Sequence, residues 1–199
     1  MNAKFFDLKK EKQDRMINAA LKVFALNGYR HATTDDIVRE AAISKGLLFH
    51  YFGNKLGVYT FVYDYSVRYL VLELKSTVDD VETDFFEIMK QIERGRMHAM
   101  RGYPYMQLFL TRSASEDVSE ALLSTEEMRN TLQECYDAIY RQIDTGKLPD
   151  KVQADKLSKM LELTVKGLMA ERFQSGSFQP EMLYDEIEEY VNMLKQLVQ

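Results

Sequence analysis

One run of this 199-residue chain gathers side chains that could grip an anion or the edge of a flat ring: Ser44-Lys45-Gly46-Leu47-Leu48-Phe49-His50-Tyr51-Phe52-Gly53-Asn54-Lys55. Lys45 can reach a base edge or a phosphate, and His50 and Tyr51 can donate to phosphate oxygens. Leu47 or Phe49 can touch a thymine methyl. Lys55 adds charge where a following helix would start, beside backbone N–H groups aimed outward, an arrangement that suits phosphate. The rival reading makes Phe49 and Tyr51 core rings of a small helical bundle. His50 alone does not choose between them.

Other chemistries lack their residue sets. The three histidines, His31, His50 and His98, are scattered and form no Glu-x-x-His pair for a di-iron site. With the single Cys135 they give no zinc set. Cys135 is best read as a small buried hydrophobe. No glycine-rich phosphate loop occurs. The chain is therefore expected to be no enzyme, with no cofactor and no metal. One cysteine forms no internal disulfide, and no apolar leader opens the chain, so a cytoplasmic protein without a membrane span is expected.

The elements that would position the run are helical. Only three prolines and nine glycines interrupt long runs of 3.6-residue periodicity, so the fold class is all-α, with about nine helices. A first helix from about residue 12 to 26 carries Ile17, Ala20, Leu21 and Phe24 on one stripe. Gly28 suits the left-handed position that ends it. Thr33 and Asp36 form a capping-box-like start to a second helix. Ala42-Ile43-Ser44 reads as a tight turn, and Ser44 can cap a third helix from Lys45 to Tyr51. That spacing is a helix-turn-helix. Leu48 and Phe52 would face the first two helices, leaving Lys45, Leu47, Phe49, His50 and Tyr51 outward. Asn54 can cap a long fourth helix to about residue 77. Further helices are expected near 83–100, 103–112, 125–145, 152–174 and 180–199, with Gly146 and Gly176 closing two of them.

Charge divides the chain. Residues 1–57 hold ten Lys/Arg against six Asp/Glu, a net of +4, whereas residues 58–199 hold sixteen against twenty-five, a net of −9. A basic head on an acidic body suits a polyanionic partner at one end. Lys9, Lys10 and Lys12 can track phosphates or belong, with Lys4, to a solvated tail.

The stretch from Glu11 to Tyr59 resembles the DNA-binding domain of the TetR family of transcriptional repressors. The matching residues are Ala19, Ala20, Phe24, Gly28, Tyr29, Thr33, Thr34, Ile37, Ala41, Ser44, Gly46, Leu48, Tyr51, Phe52 and Lys55. The resemblance implies a helix-turn-helix DNA-binding domain over 1–55 and a helical effector-binding and dimerisation domain over 56–199. It carries a backbone contact to Thr34, a recognition face to Lys45, Gly46, Leu47, Phe49, His50 and Tyr51, and a phosphate contact to Lys55. Two departures stand out: phenylalanine at 49, where the family usually has tyrosine, and Asp35, which would repel a nearby phosphate unless capping holds it away.

The resemblance also implies a homodimer that reads a palindromic operator, with recognition helices one turn of duplex apart. Leu157, Leu161, Val165, Leu168, Leu183, Ile187, Val191 and Leu194 are its candidate interface, or else pack only within one chain. A pocket for a small, largely apolar effector would draw on Phe61, Tyr65, Tyr69, Phe86, Met89, Met97, Met100, Tyr105, Phe109, Tyr136 and Tyr140. Arg96, Arg101 or Arg112 would meet its polar group. Effector binding would swing the fourth helix, with Gly57 as a hinge or a close-packing residue. The alternative is a helical protein-interaction module that binds no DNA.

Overall fold

The computed structural model describes residues 3–149 and 152–198. Among them lie nine α-helices and no strand: α1 Lys10–His31, α2 Thr34–Ala41, α3 Lys45–Phe52, α4 Lys55–Thr77, α5 Phe85–Gly102, α6 Met106–Ser113, α7 Ser119–Tyr140, α8 Ala154–Gln174 and α9 Pro180–Val198. The all-α expectation holds. Two short 3-10 turns, Ala3–Asp7 and Thr145–Lys147, were not foreseen.

Two compact units emerge, and α4 and α7 each contribute to both. The first comprises Met1–Tyr69 with Gly102–Leu132, and the second Leu70–Arg101 with Gln133–Gln199. In the first unit α1 packs on α2 and α6. Its centre is aromatic. Tyr59 meets Phe24 and Tyr29 at 5.0 Å between ring centroids and Phe109 at 5.5 Å. Each of these rings is buried. Ile17, Leu21, Ile37 and Leu48 are among the unit's fully buried side chains.

In the second unit α8 packs on α9. Leu157, Leu161, Val165, Leu183, Ile187, Val191 and Leu194 are all buried within the single chain. The stripes expected to cross a dimer interface are thus consumed by the chain's own core, and Leu168 is only half-buried. Apolar periodicity locates a buried face but not which body covers it. α8 ends as expected at Gly176 (φ 69°), with the Gly176 N–H on Phe173 O and the Ser177 N–H on Arg172 O. α7 stops at Tyr140, short of the expected 145. Gly146 lies in the following 3-10 turn, its N–H on the Asp144 carboxylate.

Candidate nucleic-acid interface

The helix-turn-helix is assembled by local chemistry. Thr33 caps α2: its Oγ1 accepts from the Asp36 N–H at 3.1 Å and donates to the Asp36 carboxylate at 2.6 Å. Those Thr33 bonds, with Arg39, hold the Asp36 carboxyl below its ordinary range. α2 then stops at Ala42, which adopts a left-handed conformation (φ 50°, ψ 51°). A side chain there costs roughly 1–2 kcal/mol, so the reversal is held by the surrounding fold. The N–H groups of Ala42 and Ile43 turn back onto Arg39 O and Val38 O. Ser44 caps α3 by accepting from the Leu47 N–H at 3.2 Å.

α3 is braced from behind. Leu48 is 1% exposed, and Phe52 packs against Phe61 at 4.9 Å and Phe5 at 5.3 Å. Lys45, Gly46 and His50 are exposed, while Leu47, Phe49 and Tyr51 are half-buried. Phe49, His50 and Tyr51 are therefore not sealed inside, but of the expected recognition face only Lys45, Gly46 and His50 are exposed. Tyr51 stands edge-on to His50 at 4.9 Å and to Phe5 at 5.7 Å. Lys45 Nζ lies 2.7 Å from the Asp35 carboxylate and 5.9 Å from the Phe49 ring. Thr34 sits half-buried in the first turn of α2.

Gly53 (φ 76°) ends α3, and Asn54 caps α4 by accepting from the Gly57 N–H at 2.8 Å. Gly57 is a site of close approach: a Cβ there would lie 1.9 Å from Phe52 O. Only glycine lets the first turn of α4 rest on the last carbonyls of α3.

Lys55 departs from its expected placement. Its ammonium turns inward, donating to Tyr29 O at 2.9 Å and Ala32 O at 3.2 Å and lying 4.4 Å over the Tyr29 ring. It ties the end of α1 to the start of α4. Tyr29 is held further by Glu120, which accepts from its hydroxyl at 2.5 Å, and by Glu116, which accepts from its N–H at 3.0 Å. Burial and the Glu120 bond push the Tyr29 phenol well above its ordinary range.

The N-terminal arm is more ordered than a solvated tail. Phe5 is fully buried against Phe61 at 4.8 Å, and Gln13 Nε2 donates to Phe6 O and Leu8 O. The adjacent pair Phe5-Phe6 was the available signal. Lys10 is taken up by Asp14 at 2.7 Å and Tyr103 Oη at 3.2 Å, while Lys9 is exposed and Lys12 half-exposed.

The expected effector-pocket residues divide between the units. In the first, Phe109 belongs to the aromatic core, Phe61 packs on Phe5 and Phe52, and Tyr65 Oη lies 2.5 Å from Tyr103 Oη. Tyr69 stacks on Tyr65, and Tyr105 lies beneath Lys22. In the second, Phe86, Met89, Met97 and Met100 are buried. Arg96 donates to Tyr136 Oη at 2.9 and 3.0 Å and to Glu93 at 2.5 Å, and Tyr140 stacks on Tyr136. Burial pushes the Glu93 carboxyl up, and Arg96 opposes the shift. Arg101 pairs instead with Glu181 at 2.6 Å, and Arg112 lies beside Gly28. Among the described residues no three His, Cys, Asp or Glu side chains converge as a metal site, and no helix is long and apolar enough to cross a membrane.

A capped short helix, set after a tight turn and propped on two others with its polar side outward, defines the class: a helix-turn-helix nucleic-acid-binding domain, here continued by helical segments. Residues 16–59 match the family model described as bacterial regulatory proteins, tetR family. The HTH-type transcriptional regulator HbdR of Aromatoleum sp. (strain CIB) is 37% identical over 86 residues, 43% of this chain and 31% of that protein. The chain thus spans about a third of that curated relative's length. A TetR family transcriptional regulator from Chloroflexus aurantiacus J-10-FL shares the fold over 98% of this chain and 94% of its own, with a TM-score of 0.66 and 20% identity. FadR from Bacillus subtilis, solved with stearoyl-CoA, aligns over 89% of this chain and 96% of its own at a TM-score of 0.60 and 15% identity. Over residues 16–59, then, the chain is similar to the tetR family, and over most of its length it shares that family's fold.

Proposed function

We propose that the protein is a cytoplasmic, sequence-specific DNA-binding regulator, acting as a repressor on a palindromic operator and released by a small, largely apolar effector. The supporting observation is the face of α3: Lys45, Gly46 and His50 exposed on a helix whose opposite side, at Leu48, is 1% exposed. A short helix so propped suits the major groove. Selection of bound duplexes from a random pool tests the reading. A recovered palindrome supports it, and Lys45→Ala should weaken binding without unfolding the chain. Enrichment of no duplex at any salt concentration refutes it and favours a protein-interaction module.

One recognition helix reads little sequence, so the function needs a second copy. The face available for it is not the buried leucine stripe. α8 exposes Met160 and Leu163, with open space beside Gly167, and α9 exposes Tyr190, Met193 and Leu197. Pairing these faces in a twofold bundle would cover them. Leu163→Glu with Met193→Glu should then give monomers by sedimentation with unchanged helicity. A dimer that survives both charges refutes this assignment.

For the effector, the part-buried Arg96, Glu93 and Tyr136 group supplies a polar anchor at α5, the helix that also carries the buried apolar Phe86, Met89 and Met97. The stearoyl-CoA carried by the Bacillus relative, an apolar chain on a polar head, is in keeping with such a ligand. Release from DNA requires a coupling of only a few kcal/mol.

A further inference from the structure

An acidic side chain on a DNA-facing surface needs a reason, because it repels phosphate. α2 carries Asp35, Asp36 and Glu40. Two of them are engaged away from α3: Asp36 with Thr33 and Arg39, and Glu40 with Lys22 at 2.7 Å. Asp35 instead reaches across the turn to α3. Its carboxylate sits 2.7 Å from Lys45 Nζ, with 69% of the Asp35 side chain and 50% of the Lys45 side chain exposed. Capping does not require it, since Thr33 and Asp36 already form the cap. An ion pair this exposed contributes little to stability.

We infer that Asp35 and Lys45 act together as a reader of one guanine–cytosine pair in each half-site. The inference rests on the DNA-binding reading above. In the major groove guanine presents two acceptors, O6 and N7, and its cytosine presents the N4 amino donor. A donor and an acceptor held 2.7 Å apart match that acceptor-to-donor sequence along a single edge. Lys45 keeps N–H donors for guanine, since one carboxylate does not exhaust an ammonium. The Asp35 carboxylate finds no partner on phosphate, guanine O6 or N7, or thymine O4, because all are acceptors. It therefore selects an amino-bearing base and penalises displaced registers in which phosphate would face it. The Phe49 ring, 5.9 Å from Lys45 Nζ, flanks the ammonium on its own helix.

The test is duplex selection at one fixed salt concentration with the full chain, as wild type, Asp35→Ala and Asp35→Asn. The wild type should recover a guanine–cytosine pair at one position per half-site. Asp35→Ala should lose that preference by roughly tenfold and leave other positions unchanged. Asp35→Asn should move the position toward adenine, whose N6 and N7 pair with an asparagine amide. All three proteins should melt alike, which separates base reading from a structural role. Enrichment by the wild type with the same consensus in both variants overturns this inference alone. Failure of the wild type to enrich any duplex removes the proposed function and this inference with it.

Discussion

Replacing Lys55 by methionine separates two roles for one ammonium. As a phosphate contact, Lys55 would matter only when DNA is bound. In the structure it donates to Tyr29 O at 2.9 Å and Ala32 O at 3.2 Å, with the Tyr29 ring 4.4 Å away. A hydrogen bond to a charged group contributes about 1.5–3 kcal/mol. Lys55 is half-buried, which favours the low end for each of its two bonds. The ring adds roughly 0.5–1 kcal/mol at a partly exposed site. Methionine keeps most of the aliphatic packing but leaves both carbonyls without this donor, so a net loss of about 2–4 kcal/mol follows. Urea unfolding followed by circular dichroism should show the midpoint falling by roughly 1 M or more. Operator binding, measured by fluorescence anisotropy below the onset of unfolding, should keep its salt dependence. Unchanged stability with a salt slope about one unit shallower would place Lys55 on a phosphate and refute the clamp.

Phe5→Ala should destabilise the first unit by about 3–5 kcal/mol, since a fully buried ring beside Phe52 and Phe61 is removed; a melting temperature equal to wild type would return the arm to a solvated tail. Gly57→Ala should cost roughly 1–3 kcal/mol and weaken DNA binding, because its Cβ would press on Phe52 O; a full-affinity, fully stable variant would contradict the close approach. Burial pushes the Tyr59 phenol from its ordinary 10 up to about 12. A folded-state value above the unfolded one lends stability that is whole below pH 10 and lost as pH rises toward 12. Alkaline titration at 295 nm should therefore show tyrosine ionising late and together with unfolding, and a single smooth transition near pH 10 would contradict this.

The helix-turn-helix was legible because each of its signals is local. Thr33 and Asp36, Ala42 to Ser44, Gly53 and Asn54 act within four residues of their own positions, and all perform the expected caps and turns. Side-chain destinations across elements were less legible. Lys55 reads as a free cation until α1 is folded back to bring Tyr29 O and Ala32 O beneath it. Phe5 lies outside any helical period, so no stripe marked it as core. The leucines of α8 and α9 showed the right periodicity but not their partner. Each helix carries two apolar strips, and the richer one went to the chain's own interior. The same limit holds for the tyrosines of the body, where Tyr136 is marked out only by the Arg96 guanidinium that the fold delivers to it.

The charge asymmetry that first suggested a polyanionic partner also has a narrower meaning once the pairs are placed. Of the ten cations in residues 1–57, Lys10, Lys22, Arg30, Arg39 and Lys45 are engaged by carboxylates, and Lys55 by carbonyls. Non-specific affinity for duplex scales with the number of phosphates neutralised. On the proposed DNA-binding reading, a head whose cations are mostly matched in this way would hold random DNA weakly, since each pair must open or lie aside before its charge counts. Binding then depends on contacts made only in the right sequence. Under the proposed DNA-binding reading, an aspartate beside Lys45 is tolerable: it would weaken attachment everywhere and be offset only where a base amino group faces it.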